Sequence, residues 1–485
     1  MTEASLYLFR DDLRLADNPA LAAALEAEKP LILAYIHDAR GSSGRPLGGA
    51  LKWWLHKSLA SLAQSIEKRG GTLHFFSGDP KAVIDKISSS VPLSSVLWNR
   101  RYHPAQIDAD KALKADLENR GIAVKSFNGT LLREPWDVKS KVGGPLKVFT
   151  PFWRAARLDY SVPTPLPAPK KIKSYNPDSF TFSVTLEALN LYPKKPDWSH
   201  GFSTEWNPGE AGAQEKLDTF LDGGFAGYAE DRNRPDLPST SRLSPHLRFG
   251  EISIRTVWHA AEFALQSQRS KATSEDLRVF QSELGWREFA HHLLYNEADL
   301  TRTNVQRSFD AFPWQNDERL FRAWSRGKTG YPIVDAGMRE LWQTGFMHNR
   351  VRMIVASFLV KHLLIDWRRG EEWFWDTLVD ADVANNPASW QWVAGSGADA
   401  APYFRIFNPM LQGEKFDPDG HYVRQYVPEL AKLPARLIHA PWDAKPIELE
   451  SAGISLGKTY PLPIVDHQTA RDRALAAFKS LKESA

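Results

Sequence analysis

The residues that could do chemistry begin in one short stretch, FQSELGWR at 280–287. Phe280, Glu283 and Arg287 are spaced i, i+3 and i+7, so a helix would place them on one face, with Trp286 beside them. An acid and an arginine on an apolar helix face are typical of a structural ion pair, but they are also suited to holding a ligand. This stretch alone leaves both interpretations open.

A second stretch, GFMHNRVRM at 345–353, has the same ambiguity. Asn349 and Met353 are four residues apart and would share a helix face, whereas Arg350 and Arg352 would lie on other faces. The pattern is compatible with a polar helix start carrying solvated arginines. The same pattern would also present two neutral side chains to a ligand.

Asp380, Asp382 and Asn386 come shortly before Pro387 and raise the question of a metal site. A calcium-binding EF-hand loop needs Gly at its sixth position and Glu at its twelfth. Counted from Asp380, those positions hold Asn385 and Gln391, so we exclude that type of site and predict no metal. The chain has no cysteine, which also excludes disulfides, cysteine nucleophiles, iron–sulfur clusters and cysteine-bound zinc.

Tryptophan is unusually concentrated in one part of the chain. Nine of the 18 tryptophans lie between Trp286 and Trp392. Trp314, Trp367 and Trp390 share no helical spacing, and the ordinary interpretation of such a trio is three separate core residues.

The elements that must position these residues fall into three segments. Residues 1–130 alternate predicted strands (5–9, 31–37, 72–78, 94–100 and 122–127) with helices, and Asn18-Pro19 and Asp79-Pro80 are typical helix starts. This alternation predicts an α/β domain with a doubly wound parallel sheet. Ten prolines between Pro135 and Pro196 indicate an interdomain linker at 131–205. From 206 to 485 the pattern predicts a large helical domain, most clearly at 274–295 and 349–364.

Charge and hydropathy limit the classes of function. Residues 206–485 hold 33 Lys+Arg against 37 Asp+Glu, while residues 1–205 hold 28 against 21. A nucleic-acid site in the helical domain therefore has to be a local arginine patch. No apolar run reaches the roughly 18 residues of a membrane span, and the first residues lack a secretory pattern. We expect a cytoplasmic protein without membrane contact.

Six collinear strings together resemble the photolyase/cryptochrome family over nearly the whole chain. They are FRDDLRLADNPAL (9–21), FAGYAEDRNRPDLPSTSRLSPHLRFGEIS (225–253), ELGWREF (283–289), KTGYPIVDAGMRELWQTGFMHNRVRM (328–353), DWRRGEEWFWDTLVDADVANNPASWQW (366–392) and FRIFNPMLQGEKFDP (404–418). Several of these strings resemble the sequences of the class III bacterial photolyases, which are close to plant cryptochromes. Some positions depart from the common pattern, since many members have Trp at Phe280 and Phe346 and a second Asn at Pro387.

The resemblance implies a U-shaped FAD in the helical domain. The residues it implies around the phosphates and ribitol are Tyr228, Thr240, Ser241, Leu243 and Ser244. An ion pair of Arg352 with Asp380 would lie beside the isoalloxazine, with Asp382 near its pyrimidine edge and Asn386 facing N5. The remaining implied members of the flavin cavity are Phe280, Glu283, Arg287 and Asn349.

The activity implied by the resemblance is light-dependent repair of cyclobutane pyrimidine dimers in UV-damaged DNA. Glu283 would hydrogen-bond the dimer, Asn349 and Met353 would contact it, and Trp286 with Trp392 would form an aromatic wall. The phosphate contacts implied are Arg232, Arg350 and Arg405, with Lys415 as a weaker candidate. Trp390, Trp367 and Trp314 would relay electrons from the flavin to the surface.

Alternative functions and a second chromophore are also implied. A cryptochrome-type blue-light photoreceptor without repair is the main alternative, and a (6-4) photolyase or a flavin module acting through partners are others. The (6-4) enzymes have histidine where this chain has Asn349 and Met353, which argues against that class. The resemblance favours 5,10-methenyltetrahydrofolate as an antenna, with a deazaflavin or second flavin as alternatives, and Arg10, Trp98 and Arg101 as candidate contacts. A monomer is expected.

Overall fold

A computed structural model of the chain describes residues 3–41, 44–176, 180–267, 269–297, 299–399 and 404–483. The contacts divide it into two compact units that interleave along the sequence. Unit 1 comprises Met1–Ala226, Ser241–Ala298 and Val379–Ala381, and unit 2 comprises Gly227–Thr240, Asp299–Leu378 and Asp382–Ala485. The predicted domain boundaries at residues 130 and 205 stay predictions.

Unit 1 contains a five-stranded parallel sheet in the order β3-β2-β1-β4-β5. Its strands are β1 Ala4–Phe9, β2 Leu31–His37, β3 Leu73–Ser77, β4 Leu93–Asn99 and β5 Ala123–Phe127. Each lies within one residue of its predicted bounds, and the parallel, doubly wound arrangement is confirmed. The central strand β1 is buried at every position, as expected of a strand covered on both faces.

The helices of unit 1 begin where local chemistry predicts them. Asn18 and Asp79 accept backbone N–H groups at the starts of the first and third helices, each followed by proline. The helices are α1 Pro19–Glu26, α2 Gly49–Glu67, α3 Pro80–Ser90, α4 Pro104–Asn119, α5 Phe149–Arg157, α6 His200–Glu205, α7 Glu210–Thr219, α9 Ser244–Arg248, α10 Ile254–Gln266 and α11 Ser274–Asn296; α8, Tyr228–Asp231, belongs to unit 2.

The proline-rich segment 131–205 holds more regular structure than a linker needs. No helix was predicted there, yet α5 forms because Phe149, Phe152 and Ala156 recur at helical spacing and are buried. The rest of the segment contributes the short helix α6 at its end and, before it, isolated bridges of Ser174 to Leu31 and of Val184 to Phe75. The prolines therefore do not prevent a short helix wherever an apolar face can be buried.

Unit 2 is helical throughout its described elements. Its helices after α8 are α12 Glu318–Ser325, α13 Pro332–Thr344, α14 Asn349–Ser357, α15 Trp367–Thr377, α16 Asn385–Ala394, α17 Pro409–Phe416, α18 His421–Tyr426, α19 Ala435–Ile438, α20 Pro446–Ala452 and α21 His467–Glu483. The helix predicted at 349–364 continues past α14 as a π-helical turn, Phe358–His362. In the ranges given above, no helix is both long and apolar enough to cross a bilayer.

Candidate functional site

Helix α11 carries the first predicted group, and its start is fixed by a capping box of Thr273 and Asp276. Phe280 is buried against Phe220, with ring centroids 5.0 Å apart. Glu283 is half-buried. Arg287 forms an ion pair with Glu288, with Nη1 3.4 Å from Oε1, and the same Nη1 donates to the carbonyl oxygen of Thr130 at 3.1 Å. The ion pair of Arg287 with Glu283 considered from the sequence stays a prediction.

Trp286 of α11 is part of an aromatic stack. Its indole lies face to face with the ring of Phe149, with centroids 3.8 Å apart and planes 7° from parallel. Phe289 packs against the edge of the same indole at 5.8 Å. Trp286 nevertheless stays 36% exposed, so one part of the indole is open to a ligand.

The residues predicted for the flavin phosphates and ribitol are divided between the units. Ser241, Leu243 and Ser244 belong to unit 1, whereas Thr240 and the buried Tyr228 belong to unit 2. Within unit 1, the hydroxyl of Ser244 donates to Oδ2 of Asp380 at 2.6 Å, which brings a predicted phosphate residue to a predicted flavin-edge residue. Arg352 is in unit 2, so its predicted ion pair with Asp380 stays a prediction.

The other two residues predicted at the flavin edge lie at the start of α16. Asn386 is buried, and its Nδ2 donates to the carbonyl oxygen of Glu371 at 3.1 Å and to the Glu371 carboxylate at 2.7 Å. Asp382 accepts the backbone N–H of Ala384 at 2.7 Å and that of Asn385 at 2.6 Å. Both side chains are therefore held in one orientation by their neighbours.

Helix α14 presents the residues predicted to contact the lesion. Asn349 is its first residue and is exposed, and Met353, one turn later, is half-buried. The ring of His348 caps the helix by accepting the N–H of Arg350. Arg352 donates from Nε to the carbonyl oxygen of Met347 at 2.7 Å. Trp392, on α16, is half-buried.

The three predicted relay tryptophans differ in burial in the expected direction. Trp390 is 2% exposed and Trp367 is fully buried, while Trp314 is half-buried. The ring neighbours of Trp390 include Phe374 at 5.0 Å and Trp324 at 6.3 Å. Trp367 donates its indole N–H to Asn304 at 2.9 Å. A relay through Trp367 and Trp314 stays a prediction, and Trp324 is an additional buried indole beside its first member.

The predicted phosphate-binding arginines gather in unit 2. Burial lowers the pKa of Arg350, and the positive charges of Arg232 and Arg405 lower it further. Arg350 is oriented by Asn233, whose Oδ1 accepts its Nη2 at 2.6 Å. Arg350 also lies over the ring of Phe416 at 4.4 Å, and Lys415 lies over the same ring at 5.3 Å. Like charges brought this close are relieved by an anion, which suits a phosphate group.

Comparisons with known proteins identify the family. Residues 5–170 match the family model described as DNA photolyase, and residues 280–480 match that of the FAD binding domain of DNA photolyase. The deoxyribodipyrimidine photo-lyase of Agrobacterium fabrum is 55% identical over 483 residues, covering 100% of this chain and 99% of that protein. The chain belongs to the photolyase/cryptochrome family.

A crystal structure of one family member and the sequence of a plant member are both similar to this chain. The crystal structure of a class III photolyase from Agrobacterium tumefaciens superimposes with a TM-score of 0.95 at 54% identity, covering 100% of this chain and 98% of that one. Cryptochrome-1 of Arabidopsis thaliana is 38% identical over 483 residues, which are 98% of this chain and 70% of that protein. The predicted likeness both to class III photolyases and to plant cryptochromes is confirmed.

The hydrogen-bonding groups of these residues suit the FAD that the family model implies. Because both atoms of Glu371 that face Asn386 are acceptors, the amide nitrogen must point to them. This leaves Oδ1 of Asn386 as the amide atom available to an N–H group such as that at N5 of a reduced flavin. The hydroxyl of Ser244 already donates its hydrogen bond to Asp380, so Ser244 would have to offer a phosphate its backbone N–H.

Four residues that matter to this arrangement were missed by the sequence analysis. They are Phe149, Asn233, Trp324 and Glu371. Each is linked to a predicted site residue by a tertiary contact that no spacing in the sequence indicates. Asn233 and Glu371 lie inside two of the family strings, and Trp324 lies inside the tryptophan-rich stretch, whereas Phe149 carried no signal.

Proposed function

We propose that the protein repairs cyclobutane pyrimidine dimers in UV-damaged DNA with light, using bound FAD. The observation that carries this proposal is the 55% identity, over the whole chain, to a deoxyribodipyrimidine photo-lyase. The geometry supports it on both units: an open indole at Trp286 in unit 1, and an arginine group around Arg350 in unit 2. A monomer acting in the cytoplasm stays a prediction.

The chain's own residues bind and orient the damaged strand. An extruded base gains about 1–3 kcal/mol by stacking on an aromatic side chain, and Trp286 offers such a surface. Arg232, Arg350 and Arg405 would hold backbone phosphates, which fixes the position of the strand without reading its sequence. Glu283 would accept or donate a hydrogen bond at the base edge, and Asn349 and Met353 would contact the dimer from α14.

The residues that would hold FAD are those of the predicted set. When bound, FAD in its reduced form supplies the electron that splits the cyclobutane ring under near-UV or blue light. Asn386, held by Glu371, would accept a hydrogen bond at N5, and Asp382 would lie at the pyrimidine edge. When the flavin has become oxidised, the buried Trp390 would pass an electron to it.

The test uses purified, chemically reduced protein and an oligonucleotide with one thymine cyclobutane dimer. Illumination should restore the thymine absorbance, and a dark sample should stay unchanged. Trp286→Ala should raise the dimer concentration needed for half-maximal repair by about tenfold, in line with the loss of one stacking surface. A flavin-loaded, photoreducible protein that repairs nothing would point instead to a photoreceptor.

We further propose that a cavity in unit 1 binds the antenna chromophore. The cavity has a volume of about 310 Å³, which is in the range of small-molecule sites. Its lining includes Trp153, Trp258, Tyr160, Glu262, Glu288 and Arg157. The guanidinium of Arg157 lies 5.7 Å from the ring of Trp153 and 5.9 Å from that of Trp258, so two indoles already accommodate a flat cation.

This lining favours a folate over the alternative chromophores. Methenyltetrahydrofolate carries a delocalised positive charge, which suits an aromatic lining. Its pteridine presents an amino group and an adjacent N–H, and one carboxylate can accept a hydrogen bond from each of them. A flavin or deazaflavin presents one N–H between two carbonyl groups, so a carboxylate such as Glu262 could accept only one hydrogen bond from that edge. The cavity is thus better suited to methenyltetrahydrofolate.

The antenna contacts considered from the sequence lie elsewhere in unit 1. Arg10 and Arg101 both bond Asp110, at 2.5 and 2.8 Å, and Arg10 lies over the ring of Trp98 at 4.8 Å. They follow β1 and β4, where the strand order reverses and where ligands of such sheets often bind. Their guanidinium groups are already partnered, so a chromophore would have to displace Asp110.

Reconstitution distinguishes the two locations. Antenna-free protein is mixed with methenyltetrahydrofolate, and binding is followed by its absorbance and by energy transfer to the flavin. Trp258→Leu should abolish binding and leave the flavin spectrum unchanged, whereas Trp98→Leu should not affect binding. The reverse pattern would place the antenna at Trp98, and exclusive binding of a deazaflavin or of a second flavin would overturn the folate assignment.

A further inference from the structure

The contact that fixes Trp286 comes from a helix outside the predicted site. Phe149 is the first residue of α5, 8% exposed, and its ring covers one face of the Trp286 indole at 3.8 Å. The ring of Trp153, one turn further along α5, is nearly parallel to that of Phe149, with planes 14° apart, but their centroids are 6.4 Å apart. Phe149 and Trp286 therefore form a stacked pair, and Trp286 is its exposed member.

Helices α5 and α11 approach closely beside this stacked pair. A Cβ placed on Gly285 of α11 would lie 2.7 Å from the ring of Trp153, so the residue before Trp286 has to be glycine for α5 to pack there. Phe289 supports the edge of the indole from the same helix. Trp286 is thus held on one face and one edge, and it presents its remaining surface in a single orientation.

We propose that Phe149 is a positioning residue for lesion binding, acting by holding Trp286 in the orientation that stacks on the extruded dimer. This inference rests on the proposed function, in which Trp286 contacts the dimer. An indole without this support would sample several rotamers, and binding would have to immobilise it. Ordering one such side chain reduces affinity by about two- to tenfold.

The test measures dimer binding in the dark and repair in the light with flavin-loaded protein. Phe149→Leu should weaken binding of a dimer-containing oligonucleotide by about fivefold, without changing the affinity for undamaged DNA. The repair yield of the saturated complex should be unchanged, because the flavin and the reacting bonds are untouched. Phe149→Tyr keeps the stacked ring and should bind within twofold of wild type. If Phe149→Leu does not fold, Phe149→Met is the replacement.

Two controls separate positioning from general loss of packing. Phe202→Leu removes a buried ring that packs on Trp53, with the two ring centroids 5.4 Å apart. This contact lies in unit 1 but does not involve Phe149 or Trp286, so the substitution should leave dimer binding unchanged. In a Trp286→Ala background, Phe149→Leu should cause no further loss, since the residue it positions is gone. An equal loss in both backgrounds, or wild-type binding by Phe149→Leu, would overturn the inference.

The outcome also distinguishes this inference from the function on which it rests. Wild-type binding by Trp286→Ala would show that Trp286 is not the lesion wall and would overturn the positioning role. The repair function itself is overturned only if illuminated, flavin-loaded wild type leaves the dimer intact. Weakened binding by Trp286→Ala with normal binding by Phe149→Leu would overturn the positioning role alone.

Discussion

Glu288 should make the stability of the protein depend on pH between about 4.5 and 7. The side chain is 4% exposed, and its Oε2 accepts the N–H groups of Leu132 at 2.9 Å and Arg133 at 3.1 Å. Burial raises the pKa of Glu288 from 4.5 to about 7, and the charge of Arg287 and the two backbone N–H groups oppose this by less. The folded protein therefore holds this proton more tightly than the unfolded chain does.

The size and sign of the effect follow from the pKa shift. A rise from 4.5 to about 7 corresponds to about 3 kcal/mol of stability, at about 1.36 kcal/mol per pH unit. This contribution is fully present below pH 4.5, is lost as the pH rises toward 7, and stays lost above it. Glu288→Gln keeps an acceptor oxygen for Leu132 and Arg133 but cannot titrate.

The assay compares denaturant unfolding of wild type and Glu288→Gln from pH 4.5 to 8. The difference between their free energies of unfolding should fall by about 3 kcal/mol over this range, because other titrating groups are common to both. Infrared spectroscopy gives a second readout, since the band of a protonated carboxyl group should disappear near pH 7 in wild type only. If the difference in unfolding free energy stayed constant with pH and Glu288 ionised near pH 4.5, the reasoning would be refuted.

Three further predictions concern the flavin, the electron relay and the DNA surface. Asn386→Asp should destabilise the anionic, fully reduced flavin, because it places a second carboxyl group where Glu371 accepts a hydrogen bond at 2.7 Å; photoreduction to the wild-type product would contradict this. Trp314→Phe should slow photoreduction of the flavin while sparing repair by chemically reduced protein, and adding Trp324→Phe should slow photoreduction further. Flash photolysis measures photoreduction and the dimer assay measures repair. Loss of repair by the chemically reduced variant would refute the separation of the electron relay from repair. Arg350→Ala should weaken binding to damaged and undamaged DNA alike and lower the salt-dependence slope by about 1, as measured by titration at several salt concentrations; an unchanged slope would exclude a phosphate contact.

The sequence determined those parts of the molecule that depend on short windows. Each strand of the sheet was predicted to within one residue, because a buried strand is a short apolar run and its ends are marked by turn residues. The helix starts at Asn18 and Asp79 were predicted because the capping group and the following proline are adjacent in sequence. Family membership was also accessible, since six motifs occur in one order along the chain.

Tertiary structure decided which of these residues meet. Phe149 stacks on Trp286 from 137 positions away, and the segment that carries it was predicted as a proline-rich linker. Glu371 orients Asn386 from the preceding helix. Two carboxylates, two tryptophans and two arginines from separate parts of the chain line one cavity. Local sequence encodes where an element begins and which face is apolar, because capping and periodicity act over a few residues. The partner of a particular ring or amide depends instead on how whole helices pack, and no short window of the chain carries that information.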